Sequence, residues 1–421
     1  VKTTSKTSDK LLTSELRIIA IISMVQFVNI LDFMMVMPLG PDFSRELGIP
    51  THQMGWVGGA YTASAFLSGV VGSFFLDRLD RRLALVGALI GLAVATIAGG
   101  FATDLPSLLA ARMLAGWFGG PATSVALAIV SDQVPSSRRG RAMGLVMLAF
   151  SVASILGVPA GLELARIGSW RTPFYGVGAL CLLLTGAAFL LLPPLKHHLA
   201  HAQHKGVQAL TQIFKSPLAW TAFASIAASM MTGFLLIPNL SPYLQLNLHF
   251  PRERLGLLYF IGGVCTLLVG RTLGAWVDRV GSTRVMSATT LVFGLVVYFF
   301  VIHERTGELG SGWIAFFFAS FMVSMSSRNI ALQSLASQVP KPEVRAQFMS
   351  LQNSVQHLAS AAGAGLSSLI LATGADGRLG GMRQLGILSI LISWTLPFLI
   401  GTMERQVRAR EINSLPRRER R

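Results

Sequence analysis

A chain of 421 residues that is 52% hydrophobic and only 13% charged, with a mean hydropathy of +0.59, is no soluble globular protein, in which about a quarter of residues carry charge. It reads as a polytopic membrane protein, and its 42 glycines suit close helix packing in lipid. The net charge of +16 reads as a topology signal and a solvated basic tail near anionic lipid rather than as a nucleic-acid footprint.

The start, "VKTTSKTSDK", is polar and basic, and the first apolar run is long enough to span, so no cleavable leader is expected. A crossing helix needs about 20 mainly apolar residues. Twelve such runs predict helices near 16–40, 53–76, 83–102, 107–132, 141–166, 171–192, 218–242, 254–277, 284–302, 312–336, 346–373 and 381–402. Lys and Arg alternate with them. Lys10 and Arg17 precede the first run, Arg81 and Arg82 follow the second, Arg138 and Arg141 the fourth, Lys205 and Lys215 the sixth, Arg279 and Arg284 the eighth, and Lys341 and Arg345 the tenth. Loops of the other parity are poorer in basic residues. The positive-inside rule then places both termini in the cytoplasm. Cys181 and Cys265 fall in apolar runs and read as buried free thiols.

The second and eighth runs end alike, "SFFLDRLDRR" (73–82) and "GAWVDRVGSTR" (274–284), with Asp77-Arg78 repeated as Asp278-Arg279. Gln133-Val134-Pro135 after the fourth run matches Gln338-Val339-Pro340 after the tenth. The chain therefore divides into a first six-helix half (1–192), a linker (193–217), a second half (218–402) and a basic tail (403–421). Duplication of this kind points to a transporter with a central site between halves.

These residues resemble the major facilitator superfamily. Its loop motif G-x-x-x-D-R-x-G-R-[KR] is held in the second half by Gly274, Asp278, Arg279 and Gly281. The first half departs from it, with Ser73 and Asp80 in place of the glycines, but keeps Asp77, Arg78, Arg81 and Arg82. R-x-x-x-G on the fourth run is present as Arg112 and Gly116. The span-five antiporter pattern is partial, as "GVPAG" from Gly157 to Gly161. The resemblance implies an all-α membrane protein of twelve transmembrane helices in two pseudo-symmetric halves, a monomer in the plasma (bacterial inner) membrane. It also implies a latch of Asp77 and Arg81 completed by Asp132, with Asp80 a competing partner for Arg81. Physically, a carboxylate at a helix N-terminus gains from free N–H groups and the dipole, and an arginine beside it pairs with phosphate or carboxylate. The bland alternative is that these charges mark topology and cap a turn.

Ionisable groups inside spans are costly and are functional candidates by default. Asp32 lies about 22 Å past Arg17 and Arg112 roughly 8 Å into the fourth span, at 1.5 Å per residue, so the two sit at similar depth. An Asp32–Arg112 pair is expected, in which burial and the guanidinium pull the carboxyl in opposite directions, suiting proton exchange. A structural hydrogen bond is the alternative for Asp32. Gln26 and Asn29 share its helix face. Pro238 and Pro242 should break the seventh span, making Asn239, Tyr243 and Gln245 candidate substrate contacts. Arg328 is expected to hold an anionic group or pair with another helix, and Arg271 to snorkel. Gln352, Gln356 and His357 on the eleventh run are further cavity candidates, His357 suiting a structural or a proton-carrying role.

His197, His198, His201 and His204 in the linker lack acidic or thiol neighbours, so no metal site is expected. No ATP-binding, zinc-enzyme or G-x-S-x-G pattern occurs, which argues against ATP drive and catalysis. The expected function is proton-coupled efflux of a small amphiphilic molecule or drug by alternating access, with small molecule, protons and lipid as partners and no cofactor or nucleic acid. The alternative is a carrier of an anionic metabolite held by arginines.

Overall fold

The computed structural model describes residues 13–72, 76, 79–195, 211–303, 310–340, 344–374 and 377–414. Helix α1 (Thr13–Met35) passes through a 3-10 turn (Met37–Leu39) into the short α2 (Gly40–Leu47). Helices α3 (Met54–Gly72), α4 (Arg81–Gly99) and α5 (Leu105–Gln133) follow. A π turn (Ala153–Gly157) joins α6 (Ser136–Val152) to α7 (Val158–Ile167) as one span, and α8 (Thr172–Leu191) ends the first half. The second half opens with a broken span made of α9 (Pro217–Phe234), α10 (Ile237–Pro242) and a π turn (Tyr243–Asn247). Then come α11 (Leu255–Val280), α12 (Ser282–Val297), α13 (Ser311–Ala336) and α14 (Arg345–Ile370). The last span is shared by α15 (Met382–Ser393) and α16 (Thr395–Ser414). A small hairpin of β1 (Ala372–Thr373) and β2 (Leu379–Gly380) precedes it. These make twelve spans in two sets of six.

Local chemistry sets the helix starts. The Asp80 carboxylate accepts from Arg82 N and begins α4. Asp104 and Ser107 form a capping box at α5, and Ser216 with Pro217 starts α9. Each cap satisfies N–H groups that the helix itself leaves unpaired. The expected break in the seventh span falls at Leu235–Leu236, just before Pro238. Two helices run past the expected span ends. The first run, expected to stop near 40, carries on as α2 until Gly48, whose φ of 65° ends it; Pro38 and Pro41 fall at helix starts, where a missing N–H costs nothing. Residues 403–414, expected as tail, continue α16.

Among the described residues, ten helical segments are long and apolar enough to cross a bilayer alone. α3 and α14 are the exceptions, and they pack against each other. Their small and polar residues face protein, so lipid does not have to solvate them. At the end of the bundle where α1 finishes, called here the distal end, this seam is hydrogen-bonded: Trp56 N donates to Ser368 Oγ at 3.2 Å and Thr51 Oγ1 lies 3.1 Å from Thr373 Oγ1. Arg252 Nη2 reaches Asp42 Oδ2 at 2.8 Å, and Ser241 Oγ donates to the Pro38 carbonyl at 2.8 Å. All four join the halves at the distal end.

Gly55 lies in this seam, where a Cβ would collide with the Ala364 carbonyl and the hydroxyls of Ser367 and Ser368. Gly55→Val should overpack it by about 1–3 kcal/mol. The expected result is a lower thermal midpoint in detergent together with faster labelling of a cysteine placed at Thr373; unchanged values for both would show that the seam does not close the distal end.

Candidate functional site

The centre of the first half holds a polar network inside apolar helices. Asp32 on α1 and Arg112 on α5 are 0% and 1% exposed, and Arg112 Nη1 lies 3.0 Å from Asp32 Oδ2. The second carboxylate oxygen accepts from Thr96 Oγ1 on α4 at 2.7 Å. The guanidinium also rests 4.9 Å from the centre of the Tyr61 ring on α3, a cation–π contact of about 0.5–2 kcal/mol. Tyr61 donates its hydroxyl to Asn29 Oδ1 at 2.7 Å, and Asn29 Nδ2 donates to the Gly119 carbonyl at 2.8 Å and to Thr123 Oγ1 at 2.6 Å. α5 comes this near α3 because Gly116, one turn after Arg112, has no Cβ to strike the Tyr61 carbonyl. The Tyr61 ring touches Phe33 at 5.0 Å, and Phe33 meets Phe234 of the other half at 5.9 Å. An ion pair in one half is therefore connected, through one aromatic ring, to the contact between halves.

The second half has its own buried cation. Arg328 on α13 is 0% exposed. Its Nη1 donates to Ser393 Oγ on α15 at 2.6 Å and its Nη2 to Thr232 Oγ1 on α9 at 3.4 Å. The Phe293 ring on α12 covers it at 3.8 Å. Arg328 thus sits among helices of its own half, bonded to neighbouring helices and enclosed. Arg271 is exposed on α11, nine residues before Val280 and so about 13 Å from the end where α1 begins, the proximal end.

Several residues expected to face substrate are engaged within the protein. Asn29 spends both ends of its amide on α3 and α5 as described. Asn239 donates to Ser367 Oγ at 2.8 Å, and the Tyr243 hydroxyl to the Phe300 carbonyl at 3.1 Å; both belong to the packing of the broken span. Gln245 donates to Ser241 Oγ at 3.1 Å. Gln352 Nε2 donates to Gln333 Oε1 at 2.6 Å. Gln26 is buried with its side-chain oxygen unpartnered, and Gln356 and His357 are half-buried on α14.

At the proximal end Arg81 Nε meets Asp132 Oδ2 at 3.3 Å. Asp77 and Arg78, and the four linker histidines, lie outside the described residues. Asp80 is a correction: its carboxylate caps α4 and accepts from Leu195 N at 3.2 Å, so it does not compete for Arg81. Gly274 is half-buried, and Asp278 and Arg279 are exposed, with no ion pair to another described residue. Gly281 has φ 92°, a turn geometry that side chains disfavour. Near it, Glu404 accepts from Thr283 N at 2.9 Å and from Thr283 Oγ1 at 2.5 Å, starting α12 as Asp80 starts α4. Glu404, Thr96, Tyr61, Thr232 and Ser393 escaped the sequence reading; for Tyr61 the small-residue run around it was the available signal.

Tyr61→Phe keeps the ring under Arg112 but strands Asn29 Oδ1. A loss of about 1–3 kcal/mol is expected, read as a lower thermal midpoint. An unchanged midpoint would mean that water replaces the hydroxyl and that Tyr61 is not a structural member of the network.

The Major Facilitator Superfamily profile matches residues 22–364. The Bacillus subtilis MFS-type transporter YceJ is 22% identical over 347 residues, 82% of this chain and 87% of that protein. The multidrug resistance protein MdtG of Serratia proteamaculans is 27% identical over 280 residues, 63% of this chain but 65% of its own length, so just under two thirds of MdtG is matched. Among solved structures, a bacterial homologue of the human lysosomal transporter Spinster, captured inward-facing and unoccupied, superposes with a TM-score of 0.72 at 16% identity, covering 94% of this chain and 98% of that one. That likeness extends to the fold alone. A twelve-span bundle of two six-helix halves and a family match over most of its length make this chain a membrane transporter, not an enzyme, of the Major Facilitator Superfamily.

Proposed function

We propose that the protein exports a small amphiphilic molecule in exchange for protons by alternating access, with both termini in the cytoplasm and the proximal end facing it. The observation that carries this reading is the Asp32–Arg112 pair, enclosed at 3.0 Å in the first half. Taking two charges out of water costs several kcal/mol per ion, and pairing returns that only with good geometry and further hydrogen bonds. Thr96 and Tyr61 supply those further contacts. Such a pair is poised. When the halves rock and water reaches Asp32, a proton on the carboxylate releases Arg112; when it departs, the pair reforms. Substrate entry and protonation of Asp32 then compete through the same ring contact, Tyr61 to Phe33 to Phe234.

The distal hydrogen bonds between halves, with exposed Asp278 and Arg279 at the other end, support an arrangement closed distally and accessible proximally. On this reading Arg81 and Asp132, with Asp77 and Arg78, form the proximal latch, and Gly274, Asp278, Arg279 and Gly281 its counterpart, engaged only after rocking. Export is supported by the drug-resistance name of MdtG. A direct anion site built from Arg271 and Arg328 has less support, since the first is exposed and the second is enclosed within its own half.

The test uses inverted membrane vesicles made acidic inside, a pH-sensitive dye, and a panel of amphiphilic compounds. Particular compounds should trigger proton efflux with wild-type protein. Asp32→Asn should cut this by about a hundredfold or more, the size typical of losing one proton-transfer group, while the variant still reaches the membrane. Undiminished compound-driven proton movement in Asp32→Asn would remove Asp32 from the coupling.

A further inference from the structure

Arg328 has no use in the coupling scheme, yet a guanidinium inside a bilayer is expensive and stays charged. The charges in the middle of the spans are few. Among the described residues, the mid-span acids and bases are Asp32, Arg112, Arg271, Arg328 and His357, and of these Arg271 is exposed. The first two cancel as a pair. Arg328 bonds only to neutral groups, the Ser393 and Thr232 hydroxyls and the Met325 sulfur, and lies against the Phe293 ring. Its Nε has no partner at all. It lies eight residues before the end of α13 at Ala336, about 12 Å from the proximal end at 1.5 Å per residue. That is the side on which the halves lack the distal hydrogen bonds.

We infer that the transported compound is neutral or anionic rather than cationic, and that the uncompensated charge of Arg328 sets this selectivity through its field rather than by contact. The inference rests on the exporter reading above and narrows its substrate class. The transport pathway runs between the halves, so Arg328 lies about one helix diameter, or 10 Å, from it. With an effective dielectric of about 20, a unit charge at that distance biases binding on the order of tenfold per charge. No mid-span carboxylate other than the paired Asp32 is present among the described residues to offset it.

Three probes of similar size separate charge from shape: tetraphenylphosphonium, triphenylmethanol and tetraphenylborate. Their affinities for the purified, full-length protein are compared by quenching of intrinsic tryptophan fluorescence. Wild type should bind the cation about tenfold more weakly than the neutral probe and the anion at least as well as it. Arg328→Gln should bring the cation level with the neutral probe, while Arg328→Lys should keep the bias. Because Arg328→Gln removes a buried, hydrogen-bonded side chain on which folding also depends, Ser393→Asp, which sets a carboxylate where the hydroxyl now meets Nη1 at 2.6 Å, provides the same neutralisation with the arginine in place. It should also remove the bias. Equal binding of cation and neutral probe by wild type, or a bias that survives Ser393→Asp, would overturn the inference. A retained bias in a protein for which no compound triggers proton movement would overturn the proton-exchange reading and leave this one standing.

Discussion

The first half is organised around one buried salt bridge. Asp32 and Arg112 bring opposite charges to 3.0 Å with almost no solvent contact, and removing either partner alone would strand the other at a cost of about 3–5 kcal/mol. Everything close to the pair serves that constraint. Thr96 fills the second carboxylate oxygen, Gly116 lets α5 approach α3, and the Tyr61 ring takes the exposed face of the guanidinium. Asn29 then ties Tyr61 back to α5 through Gly119 and Thr123. Four helices are held by one polar cluster that has no reason to exist in lipid except to keep two charges satisfied.

The second half repeats the architecture without repeating the chemistry. Its buried cation, Arg328, sits among α9, α12, α13 and α15, the counterparts of α1, α4, α5 and α8. Hydroxyls and an aromatic ring stand where the first half has a carboxylate. The helix starts are handled in parallel too: Asp80 caps α4, and Glu404, arriving from α16, caps α12. A duplicated bundle thus keeps its packing and its caps in both copies while the charged centres diverge, which suits a machine whose halves must fit together yet do different things.

The spans were legible because a bilayer demands long apolar runs and because prolines and caps break them at readable places. Pro238 foretold the break in the seventh span, and the depth arithmetic placed Asp32 and Arg112 side by side. What was not legible depended on which face of a helix points inward. Asn29, Asn239 and Tyr243 read as cavity candidates by sequence, and the neighbouring helix that each also hydrogen-bonds could not be read from it. Thr96 and Ser393 looked like ordinary small residues until the opposing helix brought a charge to them. Asp80 read as a competitor for Arg81, yet the free helix N-terminus two residues on, at Arg82 N, holds its carboxylate instead. Glu404 was lost in a segment read as tail, because a basic composition masks a helix that continues.

The central claim is that a proton on Asp32 and a compound in the cavity compete through the pair. The most direct measurement is the count of protons released when an amphiphilic compound that binds is added to purified protein in weakly buffered solution near neutral pH. The account predicts a release proportional to bound compound in wild type and none with Asp32→Asn, though that variant still binds. Equal release from both proteins, or binding by wild type with no release at any pH, would contradict it.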